Sequence, residues 1–333
     1  MEPIQWNPGK LMEISGSYWQ TCTLHAAVKL DVFSAIDGAQ LDGDSLSQTL
    51  DCDKDSLDRL LNAAAAMGLL VKTGNRYANS PGCRRFLSRH SEQYIGYIIM
   101  HHQQLVESWA NLALAVKNGR PVRKGVGKSD ESWRRNFLLG MFNIAMNLAP
   151  RLVPLVELSG RRHLLDLGGG PGTYAIHFCR ENPGLTATVF DLPTTRPFAE
   201  KTIRQFELSE RISFQPGNYL EDNIGEGYDV AWLSHILHGE GRQACTQLIQ
   251  KTVTALKPGG MIIIHEFIVD NTMDAPLFPA LFSLNMLLGT PSGRAYSQQQ
   301  LTDMLGGCGV KDIQRIHFDS PTDSSILLGV TAG

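Results

Sequence analysis

From Tyr18 to Ile36 apolar residues recur every three to four positions in YWQTCTLHAAVKLDVFSAI, the period of one amphipathic helix ending near Asp37-Gly38. Two shorter helical patterns follow, DGDSLSQTL and DKDSLDRLLNAAAAMGLL, each with Asp and Ser where side-chain oxygens cap a helix start. In LLVKTGNRYANSP the period shortens to that of two strands turning at Gly74-Asn75. Helix, helix, hairpin is the order of a winged helix. From Tyr94 to about Ser159 the helical spacing returns, broken by the basic stretch KNGRPVRKGVGKSD, read as a solvated connection. Beyond it Phe137, Met141, Phe142 and Met146 form an apolar stripe, read as core or as one wall of an apolar pocket.

At Arg162 the pattern changes to alternating strands and helices. RHLLDLG, TATVFDL, ISFQPG, YDVAWLS and GMIIIHEFIV read as strands, separated by helical stretches such as TYAIHFCRENP and GRQACTQLIQKTVTALKPGG. DIQRIHFD and SSILLGVT close the chain as an antiparallel hairpin. The fold class is therefore α/β: a mostly parallel seven-stranded sheet preceded by a mainly helical winged-helix module, with ligands expected at the carboxyl ends of the strands. The expected division is residues 1–105 for the winged-helix module, 106–160 for a helical linker contributing to the substrate pocket, and 161–333 for the sheet domain.

Composition narrows the function. The chain has 333 residues, 43% hydrophobic and 19% charged, with a net charge of −3, a balance that draws it to neither nucleic acid nor an anionic membrane. Its first residues lack the basic start and apolar core of a signal peptide, and no apolar stretch approaches the ~18 residues of a bilayer span. The six scattered cysteines contain no CxxC pair, which points to small apolar residues in a reducing cytoplasm and to no zinc site. Residues 1–100 hold nine Lys and Arg against eleven Asp and Glu. The would-be recognition helix carries Asp53, Asp55 and Asp58, so this surface cannot neutralise DNA phosphates, and a structural or dimer-forming module fits better.

The chemistry starts at LLDLGGGPGT, residues 164–173. A nucleoside triphosphate loop ends in Gly-Lys-Ser/Thr, and this run does not. A dinucleotide fingerprint wants Gly or Ala where Thr173 stands, and Pro171 removes an N–H that a pyrophosphate would use. A sulfonium nucleoside has no phosphate. It needs a thin glycine turn and carboxylates for ribose and amino group, and Asp166 before the glycines and Asp191 at the end of the next strand offer them.

LLDLGGGPGTYA, VFDLP, LSHILHGEG, LKPGG and HEFIVDN together resemble the class I S-adenosylmethionine-dependent small-molecule O-methyltransferases, the family of caffeate and acetylserotonin methyltransferases and many bacterial natural-product enzymes. The resemblance covers nearly the whole chain. It implies a Rossmann-like catalytic domain, an N-terminal winged-helix dimerisation domain, S-adenosyl-L-methionine as cofactor, a homodimer and a small, phenolic acceptor. Carried over by position, Asp166, Gly168, Gly170, Asp191, Leu192, Asn218, Tyr219 and Ser234 contact the cofactor. Asn218 stands where the family often has a carboxylate near the adenine, and Ser234 reads equally as a plain strand-end serine.

The resemblance makes His238 the general base and Glu266 the acid that holds its tautomer. A phenol near pKa ~10 is protonated at neutral pH, and an imidazole near 6.5 can take its proton. His235 is the rival base, and by strand alternation His265 and Glu266 face opposite ways. Ala295 replaces the second acid of the plant enzymes, and LHGEG lacks their aromatic after LHD, both as in the bacterial branch. His101 and His102 either reach the pocket or, the favoured reading, sit on a solvated helix. No metal is expected. The alternatives are carbon or nitrogen methylation on the same fold, and a non-catalytic regulator that senses the cofactor.

Overall fold

A computed structural model describes residues 5–123 and 131–332, so the second half of the basic stretch predicted as a loop lies outside the described residues. The chain forms two compact units, Met1–Leu105 with Arg135–Asn143, and Val106–Arg134 with Ile144–Gly333.

The first unit holds α1 (Pro8–Gly16), α2 (Tyr18–Lys29), α3 (Val32–Ile36), β1 (Leu41–Asp42), α4 (Gly43–Leu50), α5 (Lys54–Ala66), β2 (Leu70–Thr73), β3 (Arg76–Asn79) and α6 (Pro81–Leu87). Asp42 and Asp53 cap α4 and α5 by accepting from the backbone N–H groups of Ser45 and Ser56 at 2.8 and 2.9 Å. The three strands pair antiparallel in the order β1-β3-β2. The single helix expected over Tyr18–Ile36 is broken into α2 and α3. Asp31 adopts φ +62°, and its carboxylate accepts from Ser34 Oγ (2.6 Å) and from Arg89 Nε (3.0 Å), partners that reward the break. Val28, Val32, Phe33, Ile36, Leu57 and Leu61 form this unit's core.

Next come α7 (Gly96–Ala110), α8 (Leu112–Asn118) and α9 (Glu131–Leu152). His101 is buried, its ring 5.3 Å from Phe137, contrary to the solvated helix expected, whereas His102 is exposed. Of the stripe expected on α9, none of Phe137, Met141, Phe142 and Met146 is fully buried; the closed positions are Leu138, Ala145, Leu148 and Ala149. Contrary to the expectation that no apolar stretch approaches span length, α9 with the turn after it is long and apolar enough to cross a membrane, with mean hydropathy 1.3. Leu148, Ala149, Leu152 and Val153 are spent in the core beneath the large sheet, which makes it a core helix.

That sheet contains β4 (His163–Leu167), β5 (Thr186–Asp191), β6 (Ile212–Pro216), β7 (Tyr228–Ser234), β8 (Leu256–Phe267), β9 (Val310–His317) and β10 (Ser324–Thr331), in the order β6-β5-β4-β7-β8-β10-β9. Five strands are parallel, and β10 runs antiparallel to both β8 and β9. The helices are α10 (Thr173–Glu181), α11 (Arg196–Gln205), α12 (Arg242–Ala255), α13 (Leu277–Gly289) and α14 (Gln298–Gly307). Alternate residues feed two cores, as a sheet covered on both faces requires. Leu164, Trp232 and Ile263 enter one, and Leu165, Leu233 and Ile264 the other. The same alternation sends His265 to the Trp232 side and Glu266 to the opposite face.

Candidate active site

At the end of β4 the chain reverses through Gly168 (φ +68°) and Gly170 (φ +54°), a conformation costly for residues with a side chain. A Cβ on Gly168 would lie 2.6 Å from Ile236 Cγ2, so this glycine also lets the β7 loop close down. Before Gly170 there is open space: no heavy atom lies within 4 Å of where its Cβ would be.

Two carboxylates flank that space, Asp166 buried and Asp191 partly so. Asp191 accepts from the Gly170 N–H (2.8 Å), the Leu192 N–H (2.6 Å) and Thr195 Oγ1 (2.9 Å), tying the glycine turn to the end of β5. Burial raises its pKa and those three donors oppose the rise. Asp166 is 1% exposed and accepts at Oδ2 from the Ala175 N–H (3.2 Å), while Oδ1 has no hydrogen-bond partner among the described residues. Burial, with the neighbouring Asp191 charge adding to it, pushes its pKa up to about 7 against the Ala175 hydrogen bond. An orphaned acid oxygen beside an open glycine turn suits a ligand with a cationic donor.

The other predicted contacts are placed less directly. Leu192 is half exposed beside Asp191. Asn218 turns its amide oxygen to the Leu220 N–H (3.1 Å), and its own N–H donates to Asp222 (2.8 Å), so it orders its loop. The Tyr219 hydroxyl stands 3.5 Å from Glu240 Oε1. Ser234 Oγ bonds His265 Nδ1 at 2.9 Å, and His265 Nε2 reaches Ser324 Oγ at 3.1 Å. With both ring nitrogens engaged and burial holding its pKa well below the usual value, His265 stays neutral in a serine clamp.

A short side-chain contact lies where β7 and β8 end: His238 Nδ1 to Glu266 Oε2, 2.8 Å. Glu266 Oε1 accepts from the N–H groups of Leu237 (3.0 Å) and His238 (3.2 Å), and Oε2 from that of Phe267 (3.2 Å). Burial alone would raise this carboxyl, yet the neighbouring imidazoles of His238 and His235, the first of them hydrogen-bonded to it, hold it far below the ordinary range. The GRAYS stretch meets His238 through the backbone. The Arg294 N–H donates to the His238 carbonyl at 2.8 Å, and a Cβ on Gly293 would come within 2.4 Å of that oxygen. Buried Ala295 hands its N–H to Ser283 Oγ (3.3 Å), so this backbone approach stands where a second acid would otherwise support the imidazole.

Around the imidazole is an apolar wall. Phe282 meets it edge-on at 4.7 Å and Phe267 lies 5.9 Å away, with Phe278 packed on both. Phe267 was visible beside Glu266 in HEF; Phe282 was not, because only the packing of α13 brings it to His238. His235, at φ +55°, stacks on Phe267 at 4.1 Å and holds Nδ1 3.6 Å from Glu266 Oε2, too long for a hydrogen bond. His235, His238 and Glu266 each bring a ligating atom within 4.8 Å of the others. Such a set suits a transition metal, but Glu266 already accepts from three backbone N–H groups and an imidazole.

Sheet order, glycine turn and flanking acids define a class I S-adenosylmethionine-dependent methyltransferase. The chain belongs to the O-methyltransferase family: the O-methyltransferase domain model matches residues 109–311 and the O-methyltransferase dimerisation domain model residues 12–89. It is 31% identical to a 3-hydroxy-5-methyl-1-naphthoate 3-O-methyltransferase of Streptomyces sahachiroi, over 99% of this chain and 97% of that one. An N,N-dimethyltransferase of Streptomyces rimosus is 26% identical over 78% of each chain. Among solved structures, human N-acetylserotonin methyltransferase in complex with S-adenosylmethionine superposes with a TM-score of 0.88 at 24% identity, covering all of both chains. The protein is an S-adenosylmethionine-dependent O-methyltransferase.

Proposed function

We propose that the enzyme methylates a hydroxyl on a small aromatic molecule, with His238 as general base and Glu266 as its orienting partner. The observation that carries this is the 2.8 Å His238–Glu266 contact beneath a phenylalanine wall at the carboxyl edge of the sheet. Bound S-adenosylmethionine supplies the methyl group as an electrophile on sulfur. Glu266 accepts the proton-bearing Nδ1 of His238 and so leaves Nε2 with a free lone pair to take the hydroxyl proton as the bond to carbon forms. Phe267 and Phe282 present ring faces and edges to a flat acceptor and exclude water. The hydroxynaphthoate methylated by the Streptomyces sahachiroi relative supports a fused-ring phenol. On the cofactor side, Gly170 gives close approach, Asp191 faces the ribose and Asp166 the amino group. Leu192, Asn218 and Tyr219 line the nucleoside, and Ser234 serves at one remove through His265.

Hydroxynaphthalenes incubated with labelled cofactor in excess chelator should yield the methyl ether. Label on ring carbon, or turnover that needs a divalent ion, overturns the assignment in favour of the other methyltransferase chemistries.

We further propose a homodimer joined through the N-terminal unit, in a cytoplasmic setting that the six free cysteines support. The apolar stretch at Tyr18–Ile36 divides: Ala27, Val28, Val32, Phe33 and Ile36 are consumed in the unit's own core. The unpartnered apolar surface lies upstream, on Leu11, Met12, Ile14, Tyr18 and Trp19, each more than half exposed. An obligate interface of this kind exceeds ~2,000 Å² in total. Light scattering at micromolar concentration should read twice 36.7 kDa, and a mass of one chain refutes the pairing.

A further inference from the structure

We infer that Arg123 forms an anion-binding end to the acceptor site, so that the acceptor is a hydroxylated aromatic carboxylate whose acid group pairs with this guanidinium. The inference rests on the O-methyl transfer reading above and adds the charge of the substrate to it.

Arg123 is built into α13. Its N–H and that of Val122 both donate to the Leu288 carbonyl, at 2.9 and 3.2 Å, which pins this stretch to the end of the helix. Its Nη2 donates to Asn285 Oδ1 at 2.8 Å. The guanidinium lies directly on Gly289, where a Cβ would fall 2.3 Å from Nη1. Any other residue at 289 would evict it.

What the cation lacks is an anion. Among the described residues its one side-chain partner is a neutral amide, no carboxylate lies within ion-pair distance, and Nε is buried without an acceptor. Burial lowers its pKa, the direction that follows when no opposite charge compensates. A half-buried guanidinium whose Nε is closed off without an acceptor is costly unless a planar acid meets it, and its fork matches a carboxylate in two-point contact.

Its position relates it to the chemistry. Phe278, Phe282, Asn285 and Gly289 are spaced by four, three and four residues, which places them along one face of α13. Phe282 is the residue whose ring touches His238. With about 1.5 Å of rise per residue, Asn285 and Gly289 lie about 4 to 10 Å further along that face. That is the span of a fused aromatic ring system with its hydroxyl at His238 and its carboxylate at Arg123. A helix-capping role would explain the backbone contacts to Leu288; it explains neither the side chain turned onto Gly289 nor its unused donors.

The test is calorimetry on the full-length protein saturated with S-adenosylhomocysteine, comparing 6-hydroxy-2-naphthoate with 2-naphthol, which differ only in the carboxylate. The wild type should bind the naphthoate at least tenfold more tightly. Arg123→Gln should abolish that preference while 2-naphthol binding and the melting temperature stay near wild type, and Arg123→Lys should restore part of it. Equal binding of the two compounds by the wild type, no binding of either, a preference that survives Arg123→Gln, or a loss shared equally by both overturns the inference. Because binding is read without turnover, this outcome is separate from the methyl ether assay, whose failure would remove the O-methyl reading itself.

Discussion

On the proposed mechanism, replacing His238 by alanine should lower kcat by about 10²–10⁴-fold while cofactor affinity stays within a factor of two, because it removes the proposed base and leaves the glycine turn untouched. The alanine variant also leaves Glu266 short of one donor in a buried site, a stability cost of its own. His238→Asn separates the two effects, since its amide can still donate to Glu266 Oε2 but cannot take a proton. It should melt close to wild type and remain as inactive as the alanine variant. Glu266→Gln should come close to the same loss. Its amide oxygen can keep the Leu237 and His238 N–H groups, but its NH2 then faces His238 Nδ1, which must become the acceptor. The proton moves to Nε2, and the lone pair that served the acceptor is gone. Near-full turnover by His238→Asn on a phenol would show that transfer needs no base.

The large sheet was legible because its strands are buried on both faces and read as unbroken apolar runs between glycine and proline breaks. The glycine turn was legible because three positions there require positive φ, at Gly168, Gly170 and Gly172. Alternation along IIIHEFIV separated His265 from Glu266 correctly in facing, and the acid proved to be the one beside His238. Features settled by contacts distant in sequence were not legible. Asp31 breaks a helix that local spacing continues, because Arg89 and Ser34 meet its carboxylate in a left-handed conformation. Ser234 looked as much like a nucleoside contact as a strand-end residue until its hydroxyl was seen on His265. Arg123 sits in a basic stretch that reads as solvated; only the bare surface of Gly289 turns it inward.

S-Adenosylmethionine affinity should weaken by up to tenfold per pH unit below about pH 7, and Asp166 should account for most of that slope. In the free protein burial holds this carboxyl near 7, and a neutral acid cannot pair with the cofactor's ammonium, so binding must first expel the proton. Asp191 is shifted the same way and adds to the slope, although three donors already compensate it. The sign for stability is opposite. An acid raised from the usual ~3.9 makes the folded chain hold a proton that the unfolded chain has lost, so this group's contribution falls as pH rises from about 4 to about 7, by about 4 kcal/mol in all. Asp166→Asn should therefore raise the melting temperature of the free protein at pH 8. It should also lower cofactor affinity at least tenfold and flatten its pH dependence between 5.5 and 7. Calorimetry in buffers of different ionisation heat should detect proton release on binding at pH 6 in the wild type and little in the variant. A wild-type affinity that does not change over that range, or an Asn variant that binds as tightly, would remove Asp166 from the cofactor site and leave its unpaired oxygen without a partner to explain it.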